Sequence, residues 1–313
     1  MKAWLFNGVG QPLERVQKDD PVPEANQVVV DVKAAGLCHS DVGFLDGTLT
    51  PILSCVPIVL GHEVAGVVSS VGPEVTGFEV GDRVAIAGYQ SDAPGIAQDG
   101  GFGSKAIGKV EQLVRIPEGV SFQQAAAATD AGQTSYNAVI GNAGVTADSV
   151  VGIVGLGGLG LTGARIAVLT GAKVYGATRN HDVWPKAKEL GVLDVVSSVS
   201  ELAQFEPDII IDFAGAGETT ADAMEVVKPH GKVVVVGLDK TEITISTMTL
   251  ITRSVHLIGS NAGHKSDVEA VMQMMAEGDL EIIASSISWE DIPKGLELLE
   301  KGCVQGRLIA EYE

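Results

Sequence analysis

Apolar positions fall into two regimes along the chain. Up to about residue 130 they come in short β-like runs: Gln27 to Ala35 (Gln-Val-Val-Val-Asp-Val-Lys-Ala-Ala), Glu63 to Gly72, closed by a Gly-Pro turn, and a third run opened by Gly81-Asp82-Arg83-Val84. Frequent Gly and Pro punctuation makes this stretch mainly β and predicts a compact, barrel-like domain. Beyond residue 130 the period changes. Ser149 to Val154 reads as a buried strand, Leu159 to Thr170 as a helix with Leu, Ile and Val at helical spacing, and Ala172 to Ala177 as the next strand. The alternation continues through Val183 to Leu190, Asp208 to Phe213, Thr219 to Val227 and Lys232 to Val236, with a last strand at Val255 to Gly259. Strands alternating with helices of this length predict a parallel sheet covered on both faces. From His264 onward the pattern predicts two helices and a short strand that return to the first domain.

Composition agrees with a folded chain of two domains: 313 residues, 45% of them hydrophobic, with 39 glycines for turns. A formal net charge of −19 argues against partners that are nucleic acids or anionic membranes. No apolar run approaches the roughly 20 residues of a membrane span, and Met1-Lys2-Ala3-Trp4 leads into polar sequence, so a cytoplasmic protein is expected. Cys38, Cys55 and Cys303 are too few and too scattered for a disulfide framework, and no Cys-x-x-Cys pair provides a four-cysteine zinc site.

Two constellations carry chemistry. Cys38, His62 with Glu63 beside it, and Asp130 supply a thiolate, an imidazole and a carboxylate, a three-ligand set suited to Zn²⁺ with a position left for substrate. The bland alternatives are a buried thiol, a core histidine, and an aspartate capping a helix that starts at Ala131. Glu63 is either a further ligand or an anchor behind the ligands. Gly155-Leu156-Gly157-Gly158-Leu159-Gly160 follows a Val/Ile strand and opens an apolar helix, the context a dinucleotide fingerprint requires. Gly155 permits the tight turn, Gly157 lets backbone approach a pyrophosphate, Gly160 lets helix pack on strand, and the helix N-terminus faces the phosphates. At the end of the next strand Thr178 and Arg179, with Asn180, stand where an NAD enzyme carries an acidic residue. A hydroxyl and a guanidinium bind a 2′-phosphate that a carboxylate would repel, so NADP(H) is expected over NAD(H), the bland reading being an Arg179 that points into solvent.

In sequence order, Ala35-Gly36-Leu37-Cys38-His39-Ser40-Asp41, Gly61-His62-Glu63-Val64-Ala65-Gly66, Gly81-Asp82-Arg83-Val84 and the glycine turn resemble the medium-chain, zinc-dependent alcohol dehydrogenases, and the likeness runs from Met1 to Gly306-Arg307-Leu308. The resemblance implies an α/β architecture: a GroES-like β-rich catalytic domain at 1–131 and 264–313, and a Rossmann doubly wound parallel-sheet cofactor domain at 132–263. It implies Ser40 as the hydroxyl that relays the substrate proton, His39 and Arg307 at the cofactor pyrophosphate, and Thr134 behind the nicotinamide. Phe213, Ala214, Gly237 and Leu238, at strand C-termini, are expected at the nicotinamide and its ribose. The chain departs from the pattern where Asp130 replaces the usual cysteine ligand, where Gly43 stands in place of the histidine that ends the relay in some members, and between Val84 and Gly100. There the lobe that holds a structural zinc in many members is missing, so one zinc per subunit is expected.

The resulting expectation is a zinc-dependent alcohol dehydrogenase or carbonyl reductase that passes a hydride between NADP(H) and an alcohol or its aldehyde or ketone. Gly43 and Ala262 hint at room for a bulky or secondary alcohol. The apolar, lysine-free strand Ser254 to Gly259 predicts a homodimer joined edge to edge, with a tetramer open. The rivals are a zinc-free quinone or enoyl reductase of the same fold and a non-catalytic nucleotide-binding, lens-type protein.

Overall fold

The computed structural model describes residues 1–89 and 92–312, and the chain divides into two compact units, Met1–Asp130 with His264–Glu313, and Ala131–Gly263. The first unit is built on the long strand Gln27–Leu37, whose buried valines and alanines pack on the core through almost its whole length. It pairs antiparallel with Glu63–Val71 along one edge. Along the other it pairs with Lys105–Lys109 and, further on, with Arg307–Glu311. Ala284–Ser288 extends the sheet beyond Arg307–Glu311, while Arg83–Ile86 and Leu113–Arg115 extend it beyond Glu63–Val71. A three-stranded sheet of Glu14–Gln17, Lys2–Phe6 and Ile58–Val59 completes the unit. Its core holds Phe6, Phe44, Phe102, Leu60 and Trp289, all essentially buried.

The C-terminal segment therefore returns to the first unit with two strands instead of one. Ala284–Ser288 reads Ala-Ser-Ser-Ile-Ser and lies mostly exposed at the sheet's border. An edge strand of this kind buries too little to leave an apolar alternation in the sequence. Between Val84 and Gly100, where the lobe was expected to be missing, Gln90 and Ser91 lie outside the described residues. Past the end of the strand Arg83–Ile86, the other described residues of the segment form turns and one isolated bridge, Pro94 to Gln98.

The second unit is a six-stranded, all-parallel sheet. In space its order is Asp194–Val196, Lys173–Ala177, Val150–Val154, Ile209–Asp212, Lys232–Val235 and His256–Gly259. Numbered along the chain this is 3-2-1-4-5-6, the doubly wound order. Val150–Val154, Ile209–Asp212 and Lys232–Val235 are nearly continuous runs of buried Val and Ile, as strands covered on both faces must be. The helices Gly158–Leu169, Trp184–Glu189, Glu218–Val226 and Thr247–Thr252 alternate with them. The strand Asp194–Val196, three residues long, gave no sequence signal of its own. Among the described residues no helix is long and apolar enough to cross a membrane.

Candidate metal centre and cofactor cradle

Strand register sets the candidate ligands side by side. Gly36 pairs with Glu63 and Leu37 with Leu308, so Cys38, just past the strand Gln27–Leu37, lies between His62 on one neighbour and Arg307 on the other. Gly36 is needed there because a Cβ would run into the Glu63 carboxylate. Gly61, at φ 92°, turns the chain so that His62 leads into its strand. Asp130 comes from a π-helical turn, Ala128–Gly132, that follows the helix Phe122–Ala127. The aspartate does not cap a helix starting at Ala131, because the next helical segment, Gln133–Tyr136, has Gly132 at its N-cap position and no side-chain cap. Wide turns of this type recur at functional sites because they redirect a side chain without ending the helix.

One donor atom from each of Cys38, His62, Glu63 and Asp130 lies within 4.8 Å of the others. Asp41, which the motif contains and whose role sequence reasoning missed, stands behind them. It is fully buried, its Oδ2 accepts from the Cys38 backbone N–H at 2.9 Å, and its Oδ1 faces His62 Nδ1 at 3.4 Å. Such a carboxylate fixes which imidazole nitrogen faces the ligand cluster. A carboxylate three residues after a candidate Cys ligand was the available signal. Burial by itself would depress the His62 pKa, but the negative charge of Asp41 and hydrogen bonding to Asp130, Asp41 and Cys38 outweigh it and hold it well above the ordinary histidine value. The imidazole thus sits in a strongly anionic enclosure.

The residues fit a divalent cation. Glu63 Oε2 is buried without a hydrogen-bond partner, while Glu63 Oε1 faces the Arg307 guanidinium and Asp41 Oδ1 faces His62 Nδ1. Buried carboxylate oxygens left this way are costly unless a cation faces them, and the S, N and O donor set is one zinc accepts. Ser40 lies beside the cluster, its hydroxyl oxygen 3.6 Å from Cys38 Sγ. His39 is exposed, with its Nε2 donating to the Leu299 carbonyl at 3.1 Å.

Arg307, expected at a pyrophosphate, is 4% exposed and lies inside the ligand cluster. Its Nη2 is ion-paired with Glu63 Oε1 and lies 3.0 Å from Asp130 Oδ2, and its Nη1 approaches Cys38 Sγ at 4.0 Å. A buried guanidinium needs counter-charge, and the carboxylates supply it. Gly43 is buried in the helix His39–Asp46, and a Cβ there would meet Leu49 at 2.9 Å.

In the second unit Gly155 takes φ 81°, where a Cβ would meet the Ala214 backbone at 2.9 Å. Gly160 approaches the Gly155 carbonyl too closely for any side chain, whereas the Cβ direction of Gly157 opens on free space. Gly157 is also the N-cap of the helix Gly158–Leu169, Leu159 offers its carbonyl to Ser135 Oγ at 2.8 Å, and Leu156 is buried. Thr178 is half-buried at the end of Lys173–Ala177, with its Oγ1 accepting from the Asn180 N–H, and Asn180 caps the turn that follows. Arg179 is exposed. Thr134 is buried, Phe213 packs beneath Gly163, and Leu238 is 60% exposed.

Asp212 organises the loop that carries Ala214. Its Oδ1 accepts from the Ala214 and Gly215 N–H groups at 3.0 and 2.9 Å, and its Oδ2 from the hydroxyls of Thr219 and Thr220 at 2.7 and 2.8 Å. Gly215, at φ 61°, then packs backbone to backbone on Gly237. The two loops meet at the carboxyl ends of neighbouring strands, on the side of the sheet where open α/β folds bind ligands.

Two segments of the chain match known domain families. Residues 24–124 match the alcohol dehydrogenase GroES-like domain family, and residues 158–277 match the zinc-binding dehydrogenase family. Alcohol dehydrogenase 1 of Emericella nidulans is 30% identical, over 99% of this chain and 97% of its own. The crystal structure of the alcohol dehydrogenase from the archaeon Aeropyrum pernix superposes with a TM-score of 0.93 at 25% identity, covering 100% of both chains. Acetophenone reductase from Geotrichum candidum, solved in complex with NAD, gives 0.91 at 26% identity, over 99% of this chain and 97% of that one. The chain belongs to the zinc-dependent alcohol dehydrogenase family of the medium-chain dehydrogenases and reductases, with a GroES-like and a Rossmann-type domain. It is an oxidoreductase of the alcohol dehydrogenase or reductase type, acting on a small molecule.

Proposed function

We propose that this chain is a zinc-dependent alcohol dehydrogenase or carbonyl reductase that prefers NADP(H). The observation that carries the reading is the convergence of the Cys38, His62 and Asp130 donor atoms, with Glu63, within 4.8 Å. Cys38, His62 and Asp130 would hold one Zn²⁺, which supplies Lewis-acid polarisation of the substrate oxygen. The nicotinamide supplies or accepts the hydride.

The protein's own groups do the rest. Asp41 orients His62 within the cluster. The Ser40 hydroxyl both donates and accepts, so it holds the substrate proton at Oγ and passes it on. Without a histidine at Gly43, the proton leaves through water or a cofactor ribose hydroxyl. The turn Gly155 to Gly160 and the helix N-terminus receive the pyrophosphate, for which Gly157 leaves the backbone open.

Preference for NADP(H) rests on Thr178 and the exposed Arg179 at a strand end that lacks a carboxylate. The subunit pairs with a second copy through His256–Gly259, the last strand of the sheet, which is largely exposed and carries neither proline nor lysine. A reducing, cytoplasmic setting suits three free cysteines of which one is a thiolate ligand.

Metal analysis of the purified protein, combined with turnover of a panel of aldehydes and ketones with NADPH and NADH, tests the reading. About one zinc per chain and a higher kcat/KM with NADPH are expected. A metal-free protein that reduces quinones or enones would overturn it.

A further inference from the structure

The Arg307 guanidinium touches both carboxylates of the candidate metal site through one nitrogen, Nη2. It is ion-paired with Glu63 Oε1 and 3.0 Å from Asp130 Oδ2, the same Asp130 oxygen that lies 3.9 Å from His62 Nε2. Two carboxylates thus compete for one cation position, and both are within reach of the thiolate and imidazole donors. Charge separates their roles. A divalent ion is balanced by the Cys38 thiolate and one carboxylate, and the second carboxylate is balanced by the guanidinium. Removing the guanidinium leaves Glu63 as a buried anion whose only remaining cationic partner is the metal.

We propose that Arg307 is a positioning residue that selects the ligand set, binding Glu63 as its counter-ion so that Asp130, and not Glu63, joins Cys38 and His62 on the metal. The proposal rests on the metal reading above. A cysteine at position 130 would accept only weakly from the guanidinium, so the bridge belongs to a chain with aspartate there. Gly36 keeps the space for the Glu63 carboxylate across the strand pair, which lets Glu63 stay with Arg307 instead of turning aside.

Cobalt(II) replaces zinc in such donor sets, and the strength of its visible ligand-field bands reports coordination number, independent of turnover. The full-length protein, stripped of metal and titrated with Co²⁺, should show the intense bands of a four-coordinate site. Arg307→Met should weaken them to the five-coordinate type, because Glu63 then joins the metal. Adding Glu63→Gln to that variant should restore the intense bands, and Glu63→Gln in an otherwise unchanged protein should leave them as they were. Arg307→Lys, which keeps the charge, should retain the wild-type spectrum and stay within roughly 10–100-fold of its cobalt affinity.

Cobalt bound with the same spectrum in Arg307→Met would overturn this inference alone. So would a Glu63→Gln protein whose spectrum shows a ligand lost, and that second result needs no change at Arg307. A wild-type chain that takes up no cobalt would overturn the metal reading and this one with it.

Discussion

At the scale of single residues, the site depends on where buried charge finds its partner. Asp130 is the clearest case, since a carboxylate in a π-helical turn beside Cys38 and His62 has no capping duty to fall back on. Asp130→Ala should therefore lower zinc content and activity together, as measured by metal analysis and steady-state rates. A helix cap would instead have lost about 1 kcal/mol of stability and kept its metal. Arg179 is a case of the opposite kind, exposed and standing beside Thr178 at a strand end. Arg179→Ala should raise KM for NADPH by roughly tenfold or more, the worth of one charge-assisted hydrogen bond, and leave KM for NADH nearly unchanged. Equal effects on the two cofactors would remove Arg179 from the 2′-phosphate.

At the scale of elements, glycines decide how closely loops approach. Gly215 sits at φ 61° against the Gly237 backbone, and both loops hang on the strand ends that Asp212 organises. Gly215→Ala combines a left-handed backbone with a steric collision and should cost about 2 kcal/mol or more, read as a lower unfolding midpoint, together with weaker nucleotide binding by calorimetry. The border strand His256–Gly259 makes a different contribution. Leu257 is 36% exposed there, and Leu257→Lys places a charge on the edge that we assign to pairing with a second copy. Light scattering should give twice the single-chain mass for the wild type and close to the single-chain mass for the variant. A wild type already at the single-chain mass would show the edge to be covered otherwise.

At the scale of the whole molecule, metal and stability are linked. The first unit gathers a thiol, an imidazole and two carboxylates within 4.8 Å, with Glu63 Oε2 buried and unpartnered, so its folded state gains whatever binding energy an ion provides there. Free zinc at roughly a hundred times its Kd stabilises by about 2.7 kcal/mol. Stripping the metal with a chelator should lower the melting temperature by several degrees, and adding zinc back should restore it. An unchanged melting curve would mean that the cluster is stable without a cation.

Read from sequence alone, the chain yields its two regimes of secondary structure, the alternation of most strands and helices in the cofactor unit and the identity of four candidate donors. These features are local: hydrophobic period follows from which face is buried, and a glycine fingerprint needs only the strand before it and the helix after it. Weak or polar elements, such as Ala284–Ser288 and Asp194–Val196, were hidden because an edge or a three-residue strand buries too little to impose a period. The setting of the donors comes from contacts distant in sequence. Arg307 is 269 positions from Cys38, and nothing in its own neighbourhood marks it as part of the ligand cluster. Its place follows from the register of Arg307–Glu311 on Gln27–Leu37, which carries a cation into the low-dielectric interior. There it must lie against whatever carboxylates the fold has gathered, here Glu63 and Asp130, because a buried charge cannot remain unpaired.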